Sequence, residues 1–213
     1  MASAAGAASQ IFLTIGTIIM SFLVSLSKLI DALNEKVGHA VSWALLLAVL
    51  ICAGNALVRY TFNMSSNAWL EIQWYLYGAV FFLGASYTLR RNEHVRIDVV
   101  AGHFSKRTQV WIDAFGFLFF LLPVTLLILY YSIPYATLSI ENQEYSSNSG
   151  GLIIWPAKLL IPIGFFLLAL QGFSELIKRI GYLVGMVDAS AFEKQEVTPE
   201  EEIAAIKAAN KID

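Results

Sequence analysis

Four long apolar runs dominate the sequence, at about residues 41–57, 69–89, 110–131 and 159–177. A helix needs roughly 20 apolar residues to cross the hydrocarbon core of a bilayer. Backbone polar groups inside lipid must be satisfied within the segment, which favours helices over loops and open sheets. Only 14% of the 213 residues are charged, against about 25% in soluble domains. The sequence therefore predicts an all-α integral membrane protein with four transmembrane helices.

Basic side chains predict the orientation of these helices. The connection at residues 135–151 contains two glutamates and no Lys or Arg. Loops on the cytoplasmic side of a membrane are enriched in Lys and Arg. We therefore expect both termini, and the connection at residues 90–107, to be cytoplasmic. That connection carries Arg90, Arg91, Arg96, Lys106 and Arg107.

The apolar segment at residues 11–26 fits two placements. It could form a fifth span, because residues 2–27 contain no charged side chain. It could instead lie flat on the inner surface, since one face is apolar and the other weakly polar, as in interfacial helices. We favour the interfacial helix. Its apolar stripe comprises Phe12, Ile15, Ile19, Phe22, Leu26, Leu29, Leu33 and Val37.

The chain divides into three predicted parts. Residues 1–38 form an N-terminal amphipathic or membrane-associated helix, residues 39–180 the four-helix membrane domain, and residues 181–213 an acidic cytoplasmic tail. From residue 188 onward the tail has seven acidic residues and three lysines. Thr198 and Glu201 resemble a capping box, which favours a short terminal helix. The acidic composition is equally consistent with a disordered tail.

The sequence predicts no catalytic or metal site. It lacks a serine-hydrolase elbow, a zinc-protease motif and a P-loop, so neither hydrolysis chemistry nor ATP use is indicated. His39, His94 and His103 fall at membrane boundaries, whereas a haem anchor needs axial ligands within its spans. Cys52 lies inside an apolar run and offers no disulfide or metal cluster.

Arg59 and Glu71 end one predicted span and begin the next, with eleven residues between them. This spacing predicts a helical hairpin. The two charges could form an ion pair that clips the hairpin or meets a partner subunit, or they could be independent side chains that reach toward water. A second polar patch is explained by pairing along the surface of the fourth helix. It contains Gln171, Ser174 and Glu175 beside Lys178 and Arg179.

From about residue 27 to residue 180, the chain resembles the small membrane subunit (DctQ type) of tripartite ATP-independent periplasmic (TRAP) transporters. The block at residues 94–98 is the most specific part of the resemblance. The other matching elements are short, and they support the resemblance through their shared order and spacing. The matching elements are Asn55, Ala56, Leu57, Val58, Arg59 and Tyr60, then Trp69, Glu71, Trp74, Gly84 and Arg90, and finally His94, Val95, Arg96, Ile97 and Asp98.

This resemblance implies a non-catalytic scaffold without a cofactor, bound in the bacterial inner membrane to a large multi-span subunit. That larger subunit is expected to hold the substrate and sodium sites, and a periplasmic binding protein is expected to deliver the substrate. The segments SSNSGG and WPAKLLIPIGF are similar to those of a subgroup that handles organic acids. The alternative is a membrane anchor subunit of a redox enzyme. The predicted structural or partner-contact residues are Arg59, Glu71, Trp74, Arg90, His94, Arg96 and Asp98.

Overall fold

The described part of the protein is helical and contains no strand. The computed structural model describes residues 2–64, 66–92 and 104–192, and it describes side chains at residue 14 and from residue 16 onward. The helices are α1 (Ala2–Phe62), α2 (Asn67–Arg90), α3 (Lys106–Gly116), α4 (Leu122–Glu141) and α5 (Trp155–Leu183). A π-helical turn (Phe117–Leu121) joins α3 to α4, and a short 3₁₀ turn (Ala189–Ala191) follows α5.

Helix α1 contains both the N-terminal segment and the first apolar run in 61 residues without a break. It passes through residue 38, where the sequence analysis placed a boundary. In the stripe predicted for residues 11–37, Phe22 and Leu29 are well exposed. The side chains of Phe12 and Ile15 lie outside the described residues. The position of this segment relative to the bilayer remains a prediction.

The third predicted span is longer than the sequence indicated. Residues 135–141 were predicted to belong to the connection, and this is wrong because α4 continues to Glu141. Pro134 lies inside the helix and lacks a backbone N–H, yet the helix continues. One turn later, Thr137 Oγ1 donates to the Pro134 carbonyl oxygen (3.1 Å). Membrane helices tolerate an internal proline through neighbouring helices, side-chain hydroxyl groups and small backbone adjustments.

Within the described residues, three helical segments are long and apolar enough to cross a membrane: Gly16–Phe62, Lys106–Glu141 and Trp155–Leu183. Helix α2 has 24 residues, but Glu71 and Gln73 lower the hydropathy of its first half. The prediction of an all-α membrane protein is confirmed. The count of four spans and one interfacial helix remains a prediction.

Helix α5 is the centre of the bundle and contacts every other helix. Helices α1 and α2 form the predicted hairpin, closed by Asn63 with a left-handed φ of 53°. The α3–α4 rod packs against another side of α5. Helix α2 approaches α5 closely at Gly164, where an added Cβ would lie 2.6 Å from the Phe82 carbonyl oxygen. A small residue is therefore required where α2 and α5 meet.

We expect Gly164→Ala to destabilise the fold by about 1–3 kcal/mol, because the new methyl group must push the backbone of α2 away. The measurement is the free energy of unfolding in mixed micelles titrated with denaturing detergent. Gly54→Ala is the matched control, since no atom lies within 4 Å of its added Cβ. Equal stability of the two variants would contradict the close α2–α5 contact.

Candidate functional site

A cluster of polar side chains is buried between α1, α3 and α5, toward the end of the bundle where α2 terminates. Most of its members are buried, and several are fully enclosed. We call this the polar cluster. It comprises Ser27, Asp31 and Asn34 of α1, Asp113 of α3, and Gln171, Ser174, Glu175, Lys178 and Arg179 of α5.

Asp31 joins α1 to α5 through three side chains. Gln171 Nε2 donates to Asp31 Oδ1 at 2.9 Å, and Ser174 Oγ donates to the same oxygen at 2.8 Å. Lys178 Nζ lies 3.1 Å from the other carboxylate oxygen. Hydrogen bonds to a charged group are stronger than those between neutral groups. Asp31 therefore aligns α1 with two successive turns of α5.

Glu175 and Arg179 extend the cluster to the α3–α4 rod. The Glu175 side chain is 2% exposed, contacts Lys178, and lies 2.6 Å from Arg179 Nη1. Arg179 Nε reaches Asp113 Oδ2 at 3.3 Å. The guanidinium also stacks over the Phe117 ring, 4.4 Å from its centroid. One arginine thus connects α5 to α3 and to the π-helical turn.

Two neutral pairs continue the contact between α1 and α5. Ser27 Oγ and Ser174 Oγ are 2.7 Å apart, and Asn34 Nδ2 donates to Gln171 Oε1 at 2.7 Å. The other amide atom, Asn34 Oδ1, is buried and has no hydrogen-bond partner among the described residues. Leaving a buried polar group unpaired costs free energy. Sliding α1 along α5 would break both pairs and leave more such groups, so the pairs favour one register of the two helices.

The sequence analysis explained Gln171, Ser174 and Glu175 by pairing on a helix surface. The pairing within the helix is confirmed, because Gln171 Nε2 donates to Glu175 Oε1 at 3.0 Å. The surface position is wrong, since all three side chains are buried, and Gln171 and Ser174 bond to α1. Charges placed near hydrocarbon usually face protein and pair with each other, and Asp31 provides that pairing.

At the opposite end of the bundle, Glu71 holds the loop between α4 and α5. Leu152 N donates to Glu71 Oε2 at 2.6 Å, Asn148 Nδ2 donates to Oε1 at 2.9 Å, and the Ser146 hydroxyl contacts Oε1. Gly151 permits this approach, because an added Cβ would lie 2.8 Å from Glu71 Oε1. Arg59, which the sequence analysis considered as one partner for Glu71, is not among these contacts.

The same loop is anchored on its other side by Glu144. Its carboxylate contacts Lys158 and accepts a hydrogen bond from Ser139 Oγ at 2.6 Å. These hydrogen bonds, that from Lys158 above all, hold the pKa of the Glu144 carboxyl group below its ordinary value. The loop therefore has two carboxylate anchors. Glu71 reaches it from α2, and Glu144, within the loop, bonds to side chains of the two flanking helices.

Arg59 makes no ion pair or side-chain hydrogen bond within the described residues. It is exposed and lines a polar recess of about 450 Å³ with Asn55, Tyr60, Asn63 and Gln73. The ion pair with Glu71 inside this chain is therefore not formed. The other two arrangements, in which Arg59 meets a partner subunit or reaches toward water on its own, remain predictions.

The remaining predicted contact residues lie in three different settings. Arg90 contacts Glu35 of α1, and this carboxylate also lies 3.2 Å from Arg91 Nη2. Trp74 is 76% exposed on α2. Neither observation identifies a partner, so their roles remain predictions. His94, Arg96 and Asp98 lie outside the described residues.

No group of three or more metal-ligating side chains occurs in residues 14–192 where the structure describes them. In the polar cluster, Asp31 and Glu175 form ion pairs with the Lys178 ammonium and the Arg179 guanidinium. This arrangement can fasten helices together.

Sequence reasoning did not identify the α1 half of the polar cluster. A signal was present, because Ser27, Asn34, Val41 and Ala48 recur every seven residues and all are buried. A heptad of small and polar residues indicates a helix seam. This seam packs on α5 through contacts between residues far apart in the sequence. Ser27 and Ser174, for example, are 147 positions apart, and a local pattern does not specify such a contact.

Comparison with known proteins identifies a family that this chain matches. Residues 47–181 match the family described as "Tripartite ATP-independent periplasmic transporters, DctQ component". This match begins within the apolar half of α1 and ends within the last turn of α5. It therefore includes Glu71, the loop that Glu71 holds, and the α5 half of the polar cluster. No curated protein and no solved structure gave a significant match.

We expect Glu175→Gln to destabilise the fold by about 3 kcal/mol, because it leaves Lys178 and Arg179 buried with one carboxylate fewer. The measurement is again the free energy of unfolding in mixed micelles. Glu141→Gln is the control, since Glu141 is exposed at the end of α4 and such substitutions change stability by about 0.5 kcal/mol or less. A Glu175→Gln protein as stable as the control would show that the cluster does not hold the bundle.

Proposed function

Because the chain belongs to the DctQ component family of TRAP transporters, we propose that it is the non-catalytic scaffold subunit of a sodium-coupled importer of an organic acid. In this proposal a large multi-span subunit carries the substrate and sodium sites. A periplasmic binding protein delivers the substrate. This chain binds beside the large subunit in the inner membrane and enlarges its immobile part.

The observation that carries the proposal is how the chain uses its ionisable groups. In the polar cluster, acidic and basic side chains pair with each other between helices, and Glu71 and Glu144 hold a loop of the same chain. A transport pathway needs polar groups that a substrate can reach near the middle of the membrane. Groups committed to holding helices together suit a scaffold.

The lateral surface supports a partner in the membrane. Aromatic and aliphatic side chains are widely exposed along α1, α2, the π-helical turn and α4, where they can contact lipid or another helix. A chain with this surface is suited to side-by-side assembly. Examples are Leu50, Leu57, Phe81, Phe120 and Leu127, each at least 56% exposed.

The proposed orientation places the Arg90 end of the bundle in the cytoplasm and the loop held by Glu71 in the periplasm. It rests on the basic residues Arg90, Arg91, Lys106 and Arg107 at one end, against an acidic loop at the other. In this orientation the clamped loop faces the compartment of the binding protein, and both termini are cytoplasmic.

The proposal predicts that this chain alone transports nothing. Proteoliposomes with an inward sodium gradient should show no uptake of labelled organic acids when they contain only this chain. Uptake should appear when the large subunit and the binding protein are both added, because the transport sites lie on those chains. Sodium-driven uptake by this chain alone would refute the proposal.

Arg59→Ala and Glu71→Ala should lower co-purification with the large subunit, or uptake by the complete system, more than Glu141→Ala does. The three sites are all near the same end of the bundle. Arg59→Ala should leave the unfolding free energy of this chain within about 0.5 kcal/mol of wild type, since Arg59 is exposed and unpaired among the described residues. Glu71→Ala should also release the loop, detected as faster amide exchange at Leu152. Equal losses of assembly in all three variants would remove the case for Arg59 and Glu71 as contact residues.

A further inference from the structure

A groove between α1 and α2 opens to the lipid-facing side of the bundle and has a volume of about 540 Å³. It exists because small residues face each other there: Gly38 and Ser42 on α1, and Gly84 and Ala85 on α2. Phe81, 72% exposed, forms one rim. The volume falls within the range of sites that bind one small ligand.

The walls of the groove are effectively apolar. Three of the lining residues carry a hydroxyl group, and one of them, Tyr87, stands at the end of the groove. The other two donate within their own helices, Ser42 Oγ to the Gly38 carbonyl oxygen at 3.1 Å and Thr88 Oγ1 to the Gly84 carbonyl oxygen at 3.0 Å. No donor of these side chains is left for a polar ligand. The groove therefore suits a hydrocarbon chain.

One end of the groove is closed by Tyr87, whose ring packs directly on Gly38. An added Cβ at Gly38 would lie 2.3 Å from this ring. The Arg91 guanidinium stacks over the other part of the Tyr87 ring, 5.0 Å from its centroid, and the His39 ring lies 6.3 Å away. The apolar groove thus ends at a ring that carries a cation on its outer side.

This end has an excess of positive charge among the described residues. Glu35 is shared by Arg90, Arg91 and His39, so two guanidinium groups face one carboxylate. Arg91 gives Glu35 a single hydrogen bond of 3.2 Å, and its side chain is 45% exposed. Its other N–H groups have no acceptor in the described part of the chain. An arginine in this state favours a phosphate oxygen.

We propose that this groove binds one anionic phospholipid, with an acyl chain between Gly84 and Ser42 and its phosphate on Arg91. Thr88 and Arg91 are three residues apart, about 4.5 Å along the helix axis, so one lipid reaches both. A transmembrane helix is about 10 Å wide and cannot pass the closure formed by Tyr87 and Gly38, whereas a single alkyl chain can end there. The inference does not depend on the proposed transport function.

The test uses the full-length chain in nanodiscs that contain equal amounts of phosphatidylglycerol and phosphatidylcholine. One lipid at a time carries a photoreactive group at the same position of its acyl chain. Mass spectrometry then measures the labelling of residues 38–45 and 80–88. We expect about fivefold more labelling from phosphatidylglycerol than from phosphatidylcholine, as one added Arg contact with an anionic lipid predicts.

Two kinds of variant separate the headgroup from the chain. Arg91→Gln should bring the ratio of the two lipids close to one while labelling continues. Gly84→Leu should reduce labelling from both lipids, because its Cβ meets only Val41 at 3.7 Å and the longer side chain then fills the groove. Ser42→Leu provides a second filling variant if Gly84→Leu fails to fold, as judged by helicity and elution.

Arg59→Gln and Gly54→Leu are the matched controls at the other end of the same hairpin, and both should keep the wild-type ratio at residues 38–45 and 80–88. An equal ratio in the wild-type chain would overturn the proposal. So would a preference that survives Arg91→Gln, or labelling that survives both filling variants. Loss of the lipid on assembly with another membrane protein would assign the groove to a partner helix instead.

Discussion

The fold depends on one constraint, which is that ionisable groups near hydrocarbon must be paired inside the protein. Partly buried Asp31 of α1 and buried Glu175 of α5 supply negative charge, and Lys178 and Arg179 of α5 neutralise it. Removing water from such groups is expensive unless their hydrogen bonds are made. The arrangement that satisfies them requires α1, α3 and α5 at one angular position and one register. The polar cluster therefore specifies how the helices associate, which apolar contacts in lipid do only weakly.

The two ends of the bundle solve different problems with the same chemistry. At one end, charged side chains connect helices. At the other, Glu71 and Glu144 organise the loop that joins α4 to α5 through backbone and side-chain donors. Arg59 is the exception at that end, because it is exposed and lines a recess without a carboxylate. Most of these charged groups therefore bind other parts of the same chain. The surface left for partner subunits is the exposed apolar side of the helices, which agrees with a component of a multi-subunit transporter.

Much of the fold follows from the sequence, and the exceptions have identifiable causes. The apolar runs predicted the positions of the helices, and the eleven-residue interval between Arg59 and Glu71 predicted the hairpin. The end of α4 was misplaced because the apolar run ends near Tyr131, whereas the helix continues through Pro134 to Glu141. The sequence left open whether Glu71 pairs with Arg59, and it gave no sign of the loop at Ser146 and Leu152, which approaches Glu71 from 75 to 81 residues away.

The sequence by itself determined that the chain is a helical membrane protein, where its apolar helices lie, and to which family it is similar. Those properties depend on composition, on local hydrophobic length and on short motifs. Only the tertiary structure decided that α1 is continuous from Ala2 to Phe62, that α5 is the central helix, and that Asp31 meets Lys178. These are contacts between distant residues. A one-dimensional pattern records that a polar residue lies on a helix face, but which opposing face satisfies it depends on how the helices pack.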